Sequence, residues 1–140
     1  MLQLLKQNKA EEFIKICSKE LKKIQEIKMP NWALFVKTGH GKERPPMGKN
    51  WWYIRTASIL RKIQMKSPIG VSHLRKVYST KKNKGHKPEK STKAGGKITR
   101  IILQQLEKAG LVEQNKGPKK GRKLTEKGIK FINKISKEAK

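Results

Sequence analysis

The feature that most restricts this sequence is its charge: 36 lysines and arginines against 10 acidic residues give a formal net charge of +26 over 140 residues. In a folded sphere of this length the mutual repulsion costs on the order of 20 kcal/mol at a Debye length of about 8 Å. The expanded unfolded chain carries only about 4 kcal/mol by the same arithmetic. Typical domains are stable by only about 5–15 kcal/mol. We therefore expect the chain to work beside a polyanion.

The apolar content allows a modest core. Leu, Ile, Val and Phe contribute 32 of the 140 residues, just above the roughly 20% below which a highly charged chain is usually disordered. We expect a single domain over residues 1–140. No apolar run approaches the length of a membrane span, and no signal peptide is visible, so no membrane partner is expected. The single cysteine, Cys17, fits a reducing cytoplasm and is expected in the core.

Residues suited to catalysis are scarce. The chain has no Asp, and its three histidines (His40, His73 and His86) lie in separate segments. The sequence therefore predicts no enzyme, no cofactor, no metal site and no small-molecule substrate.

Apolar periodicity predicts a mainly helical chain. An N-terminal helix is expected over residues 8–27 with Asn8 as its cap, and the best-defined helix over 50–65. A short helix capped by Ser72, a helix over 97–109 and a last helix capped by Thr125 follow. The predicted core contains Phe13, Trp52, Ile59, Leu60, Ile102, Leu106 and Ile132.

The helix over 50–65 also has an outward arc with unusual chemistry. It holds Trp51, Ile54, Arg55, Ser58, Arg61 and Lys62. Trp51 fits two interpretations equally well: packing beneath the N-terminal segment, or a platform that faces RNA. Arg55 and Lys62 project along nearly the same line about 10 Å apart, which suits successive phosphates of one RNA strand. We expect Arg55 to make the more specific contact.

Two further segments are basic. Residues 79–97 contain seven lysines and one Glu, which predicts an anion-binding loop, mobile in the free protein. Residues 115–123 form the basic tip of a hairpin between short strands at 111–113 and 122–124. The candidate RNA-binding residues of these segments are Lys81, Lys82, Lys84, Lys87, Lys90, Lys93, Lys97, Lys119, Lys120 and Arg122.

The order of elements after residue 50 is helix, short helix, helix, two-stranded ribbon, helix. It predicts a winged-helix fold, which is a helix-turn-helix core with a short β-hairpin wing, preceded here by an N-terminal helix. This pattern indicates a fold and does not choose between DNA and RNA.

Several motifs are more specific than this pattern. The sharpest are Pro30-x-Trp32, Asn50-Trp51-Trp52-Tyr53-x-Arg55-x-Ala57-Ser58, Leu103-Gln104-x-Leu106-Glu107 and Gly121-Arg122-x-Leu124-Thr125. Through these motifs the sequence resembles, from about Met29 to Ile135, the eukaryotic and archaeal family of small-subunit ribosomal protein nineteen. Four further motifs are more similar to the archaeal branch: Lys37-Thr38-Gly39, Lys42-Glu43-Arg44, Gly85-His86-x-Pro88-Glu89-Lys90 and Lys93-Ala94-Gly95-Gly96.

The resemblance implies a winged-helix-like protein of the cytoplasmic ribosome without catalytic activity. It implies binding to small-subunit ribosomal RNA in the head of the particle, beside neighbouring ribosomal proteins, and a role in subunit maturation. The surfaces that it suggests for RNA are the helix around Arg55 and Arg61, the loop near Lys93 to Lys97, and Arg100.

A winged-helix regulator of transcription that binds DNA is the alternative. Lys97, Arg100, Gln104 and Lys108 would then face a major groove, with Lys119 and Lys120 in a minor groove. Such regulators generally need a dimer or an effector site, and the sequence shows no heptad seam. Lysines outnumber arginines by 30 to 6, which favours neutralisation of phosphates over reading of bases.

Overall fold

The computed structural model describes residues 10–138, and this range is mainly helical, as predicted. The strands form two separate antiparallel hairpins, β1–β2 and β3–β4. The α-helices are α1 (Ala10–Lys22), α2 (Trp51–Lys66), α3 (Val71–Val77), α4 (Gly96–Lys108) and α5 (Glu126–Glu138), with a 3₁₀ helix at Asn31–Leu34. The strands are β1 (Thr80–Lys84), β2 (Lys87–Thr92), β3 (Val112–Gln114) and β4 (Arg122–Leu124).

One hydrophobic core joins these helices. Helix α1 packs on α2 and α5, and α3 packs on α4. All seven residues predicted for the core are buried, as is Cys17. The Trp52 indole Nε1 donates a hydrogen bond of 3.0 Å to Oε1 of Gln105, whose amide donates to the Lys28 carbonyl. The apolar stripe of α2 therefore faces the core as its periodicity indicates.

The N-terminal helix is shorter than predicted. Helix α1 ends at Lys22 instead of residue 27, and the chain continues through turns that place Ile27 fully inside the core. In a continuous helix Ile27 would point about 120° away from Leu21, at about 100° per residue. Leaving the helix early lets both side chains be buried. The predicted cap at Asn8 lies outside the described residues.

The predicted ends of the later helices are partly correct. Thr125 accepts a hydrogen bond from the Gly128 amide at its Oγ1 (3.1 Å), and Gly110, with φ of +70°, follows the end of α4. The cap predicted at Ser72 is wrong, because α3 begins at Val71 after an extended Gly70 and has no side-chain cap. None of the helices within residues 10–138 is long and apolar enough to cross a membrane.

The segment at 79–97 is not a loop. It contains β1 and β2, joined by a two-residue turn at Gly85-His86, and α4 already begins at Gly96. Gly85 has a φ of +70°, a conformation that glycine adopts without steric cost. Because the strand ladder pairs the backbone groups, the segment acquires regular structure without an apolar anchor. Its mobility in the free protein stays a prediction.

The base of this hairpin is held by the connection between the 3₁₀ helix and α2. Gly39 forms an isolated β-bridge with Ala94, and the Gly95 amide donates to the Thr38 carbonyl over 3.0 Å. A Cβ atom on Gly41 would lie 2.5 Å from Oγ1 of Thr80. The connection therefore packs closely against the hairpin and fixes where it leaves the core.

The second hairpin lies within one residue of its predicted strands. Beside β4, Ile69 exchanges two backbone hydrogen bonds with Arg122, of 3.1 and 2.9 Å. A Cβ atom on Gly121 would lie 2.9 Å from the Ile69 nitrogen, so the two backbones approach closely there. This hairpin is thus joined to the chain just before α3.

Candidate nucleic-acid interface

The β1–β2 hairpin carries a dense group of cations, and we call residues 80–92 the basic arm. Lys81, Lys84, Lys87 and Lys90 are exposed, and Lys82 is half-buried. The strand register sets Lys82 opposite Lys90, and Lys84 opposite Lys87. Like charges at directly opposed positions of an antiparallel pair repel each other. An anion bound along the arm would relieve this repulsion.

Three further candidate cations follow the basic arm in the chain. Lys93 precedes α4, Lys97 and Arg100 lie in its first turns, and all three are exposed. The Lys97 ammonium lies 4.6 Å from the centroid of the Trp32 ring. The first turn of α4 has no acidic residue, although a helix N-terminus favours negative charge. The beginning of α4 is therefore well suited to an external anion.

Arg55 and Lys62 of α2 do not project freely into solvent, which corrects the expected outward arc. The Arg55 guanidinium carbon lies 3.9 Å from the centroid of the Tyr78 ring, and the Lys62 ammonium lies 4.9 Å from it. Ser58 and the Tyr78 hydroxyl share a hydrogen bond of 2.7 Å. Arg61 is half-buried. Tyr78 covers this part of the arc, whereas Ile54 stays 47% exposed beside a cavity that separates the arc from the connection at 38–46.

Burial also shifts the pKa values of this cluster. It lowers the pKa of the Arg55 guanidinium and raises the pKa of the Tyr78 hydroxyl. The pKa of Lys62 is lowered, first by burial and then by the neighbouring cations Arg61, Arg55 and Lys66. All these shifts reflect groups that have lost part of their hydration. Arg55 and Lys62 therefore anchor Tyr78, two residues before the basic arm.

Trp51 is partly packed and partly accessible, and its role as a platform for RNA stays a prediction. Its ring packs edge-on against Trp52, with centroids 5.4 Å apart, and it adjoins the core. It is only half-buried and also lines a surface cavity with Arg44 and Tyr78. Trp51 is thus a structural residue with one accessible side.

The candidate RNA-binding residues of the second hairpin are of two kinds. Lys119 and Lys120 are exposed at its tip. Arg122 instead directs its guanidinium to the Glu107 carboxylate, 3.7 Å away. Because this cation already has an acidic partner and its backbone pairs with Ile69, its position is explained by the fold.

Sequence reasoning missed two cations, Lys42 and Arg44, which line the cavity beside Trp51. The signal available was their place in a connection rich in Gly and Pro, where backbone irregularity often accompanies function. The three histidines are all exposed. Within residues 10–138 no group of three His, Cys, Asp or Glu side chains could hold a metal ion.

Comparison with known proteins decides between the expected families. The family model described as Ribosomal protein S19e matches residues 4–140, which is nearly the whole chain. The chain belongs to this family. The match confirms the predicted ribosomal protein, and with it the prediction of a protein that is not an enzyme.

Individual relatives agree with this assignment. The chain is 44% identical over 131 residues to the small ribosomal subunit protein eS19 of the archaeon Aeropyrum pernix, covering 92% of this chain and 84% of the relative. It is 42% identical over 125 residues to the protein of the same name from Entamoeba histolytica, covering 89% and 79%. The corresponding protein of Thermoplasma volcanium is 39% identical, covering 89% and 81%.

Proposed function

We propose that this chain is a structural component of the small ribosomal subunit, where it binds the subunit's RNA in the head and supports maturation of the particle. The observation that carries the proposal is the basic arm, whose opposed lysines need an anionic partner. The relatives are named as small-subunit proteins, which supports ribosomal RNA as that anionic partner. Neighbouring ribosomal proteins would be its other partners.

The RNA surface that we propose has four parts. The basic arm supplies Lys81, Lys82, Lys84, Lys87 and Lys90. The beginning of α4, with Lys93, Lys97 and Arg100, continues it along the chain. The tip of the second hairpin adds Lys119 and Lys120, and the cluster of Trp51, Arg55, Arg61 and Lys62 adjoins the root of the arm. Such contacts give affinity through release of counterions, with little reading of sequence.

We also propose that the scaffold is a winged helix. Helices α3 and α4 would form the helix-turn-helix, with the basic arm inserted between them, and β3–β4 would be the wing. The pairing of Ile69 with Arg122 supports this assignment, because it adds a third extended segment beside the wing. A regulator that binds DNA is not favoured, since the chain belongs to a ribosomal protein family and its exposed cations extend well beyond α4.

Sedimentation tests the ribosomal assignment. In a sucrose gradient of native extract, we expect the chain to migrate with small subunits and whole ribosomes. A pool that stays at the top of the gradient, or that sediments with chromosomal DNA, would refute the proposal.

A tethered probe tests the location in the head. A Lys119→Cys variant can carry an iron chelate at the exposed tip of the second hairpin. Burial raises the pKa of the Cys17 thiol to about 12, so this thiol stays protonated and unlabelled. In reconstituted subunits we expect the hydroxyl radicals to cut RNA of the head. Cuts confined to RNA of the body would contradict the location, and unmodified protein is the control.

A further inference from the structure

A cavity of about 470 Å³ lies between α2 and the connection at 38–46. Its walls include the rings of Trp51 and Tyr78 and the apolar side chain of Ile54. Its volume lies in the range of pockets that hold small organic groups. The cavity is open to the surface and adjoins the root of the basic arm through Tyr78.

The lining of the cavity carries charge of one sign. Lys42, Arg44 and Arg55 line it, and none of the described residues that line it is acidic. Lys42 and Arg44 are exposed, while Arg55 is half-buried. The aromatic walls suit a planar group, and the cations suit a phosphate attached to that group.

Arg55 and Tyr78 form the inner wall of the cavity. The guanidinium lies over the ring at 3.9 Å, and the hydrogen bond between Ser58 and the Tyr78 hydroxyl fixes the position of that hydroxyl. Arg55 is half-buried, and the partial loss of hydration lowers the pKa of its guanidinium. Unstacked RNA bases pack on aromatic rings and guanidinium planes of this kind.

We propose that this cavity receives one unstacked nucleobase of the bound RNA, between Trp51 and the Arg55–Tyr78 pair. Lys42 and Arg44 neutralise the phosphates that flank this nucleotide. The proposal rests on the RNA-binding function proposed above. The surfaces described there bind phosphates, and the cavity adds a site that binds a base. Three cations without an acidic counterpart favour RNA over a peptide as the occupant.

Zero-length ultraviolet crosslinking tests the proposal with the full chain and transcribed small-subunit RNA. We expect a single-nucleotide adduct on the peptide that contains Trp51 or Tyr78. Ile54→Trp fills the cavity from a residue that is 47% exposed. It should remove this adduct and weaken binding by about tenfold. Because the phosphate contacts remain, the salt dependence of binding should keep its slope.

Ile129→Trp is the matched control, since Ile129 is 42% exposed on α5, away from the cavity. It should keep both the adduct and the affinity, and melting curves should show that both variants fold. An adduct elsewhere, or wild-type binding by Ile54→Trp, overturns the base site and leaves the RNA-binding function intact. Equal crosslinking to adenosine monophosphate alone would identify a free nucleotide and also overturn it.

Two other outcomes would also refute the base site, for different reasons. Crosslinks in assembled subunits between the cavity and another ribosomal protein would assign the site to a protein partner and refute the base site. Failure of the unaltered chain to bind the RNA more tightly than unrelated RNA would refute the proposed function, and the base site with it.

Discussion

The two hairpins of this protein carry their charge in opposite ways. In β1–β2, Lys82 lies opposite Lys90. In β3–β4, Lys123 lies opposite Glu113, and the two side chains form an ion pair of 3.1 Å. Opposite charges across a ladder stabilise it, whereas like charges weaken it. The strands of the second hairpin therefore pair opposite charges within the chain, whereas the opposed lysines of the basic arm repel each other.

The hairpins also differ in their attachment. Val112 of the second hairpin is buried in the core, and β4 is bonded to Ile69. Every residue of the basic arm from 83 to 91 is exposed. The arm is held at its root, where Nε of Arg75 donates to the Ala94 carbonyl over 2.9 Å. One hairpin is thus part of the core, and the other projects from it.

The largest expected effect on stability distinguishes the two ways in which the hairpins are attached to the core. A Cβ atom on Gly128 would lie 2.2 Å from the Leu111 carbonyl oxygen, next to β3. Gly128→Ala should therefore lower the free energy of unfolding by about 3 kcal/mol. Gly41→Ala crowds the threonines at the root of the arm and should cost less than about 1 kcal/mol globally. Urea denaturation measures both.

Gly41→Ala should instead act locally. We expect it to increase proteolysis between Lys81 and Lys90 in the free protein, because the arm loses close packing at its base. Equal losses of global stability in the two glycine variants would contradict the different attachment of the two hairpins.

A smaller effect is expected where α2 anchors the root of the arm. Arg55→Gln removes the cation over Tyr78 and should lower the free energy of unfolding by about 1 kcal/mol. Arg55→Lys should restore part of it. Arg100→Gln, on the exposed face of α4, is the control and should change stability by less than about 0.5 kcal/mol. Thermal melting that shows no difference between Arg55→Gln and Arg100→Gln would remove Arg55 from the anchor.

The smallest effect tests the charge pairing itself. Replacing Lys82 and Lys90 by Gln should raise the free energy of unfolding by about 0.5 kcal/mol, because a repulsive pair is lost. Lys123→Gln should lower it by up to about 1 kcal/mol, because Glu113 loses its partner. Both differences should shrink with added salt. Opposite signs in melting curves at low salt support the comparison, and equal signs contradict it.

The buried half of the fold could be predicted from the sequence. The positions of Trp52, Ile59 and Leu60 follow from the helical period, because one face of α2 is apolar and adjoins the core. The basic arm could not be found in this way, since its strands contain no apolar alternation. Its two-residue turn at Gly85-His86 was the available signal, as glycine at the first position is typical of tight hairpins.

The candidate site was harder to predict because tertiary contacts decide which cations remain accessible. Spacing alone places Arg55 on an outward arc, but Tyr78 comes from a different element and covers it. Arg122 stands in a basic segment, yet Glu107 of α4 approaches it. Sequence gives the number of cations, and the fold decides which of them already have partners.

The central claim is that the lysines of the basic arm are not neutralised within the chain and bind phosphates of the RNA. The salt dependence of RNA binding tests this claim most directly. Replacing Lys81, Lys84, Lys87 and Lys90 by Gln should reduce the slope of log K against log salt by about 3, since each phosphate contact contributes roughly 0.7–0.9. The matched control replaces four exposed lysines of α1 and α5, namely Lys15, Lys19, Lys130 and Lys137, and should keep the slope. An unchanged slope for the arm variant, or an equal loss in the control, would contradict the account.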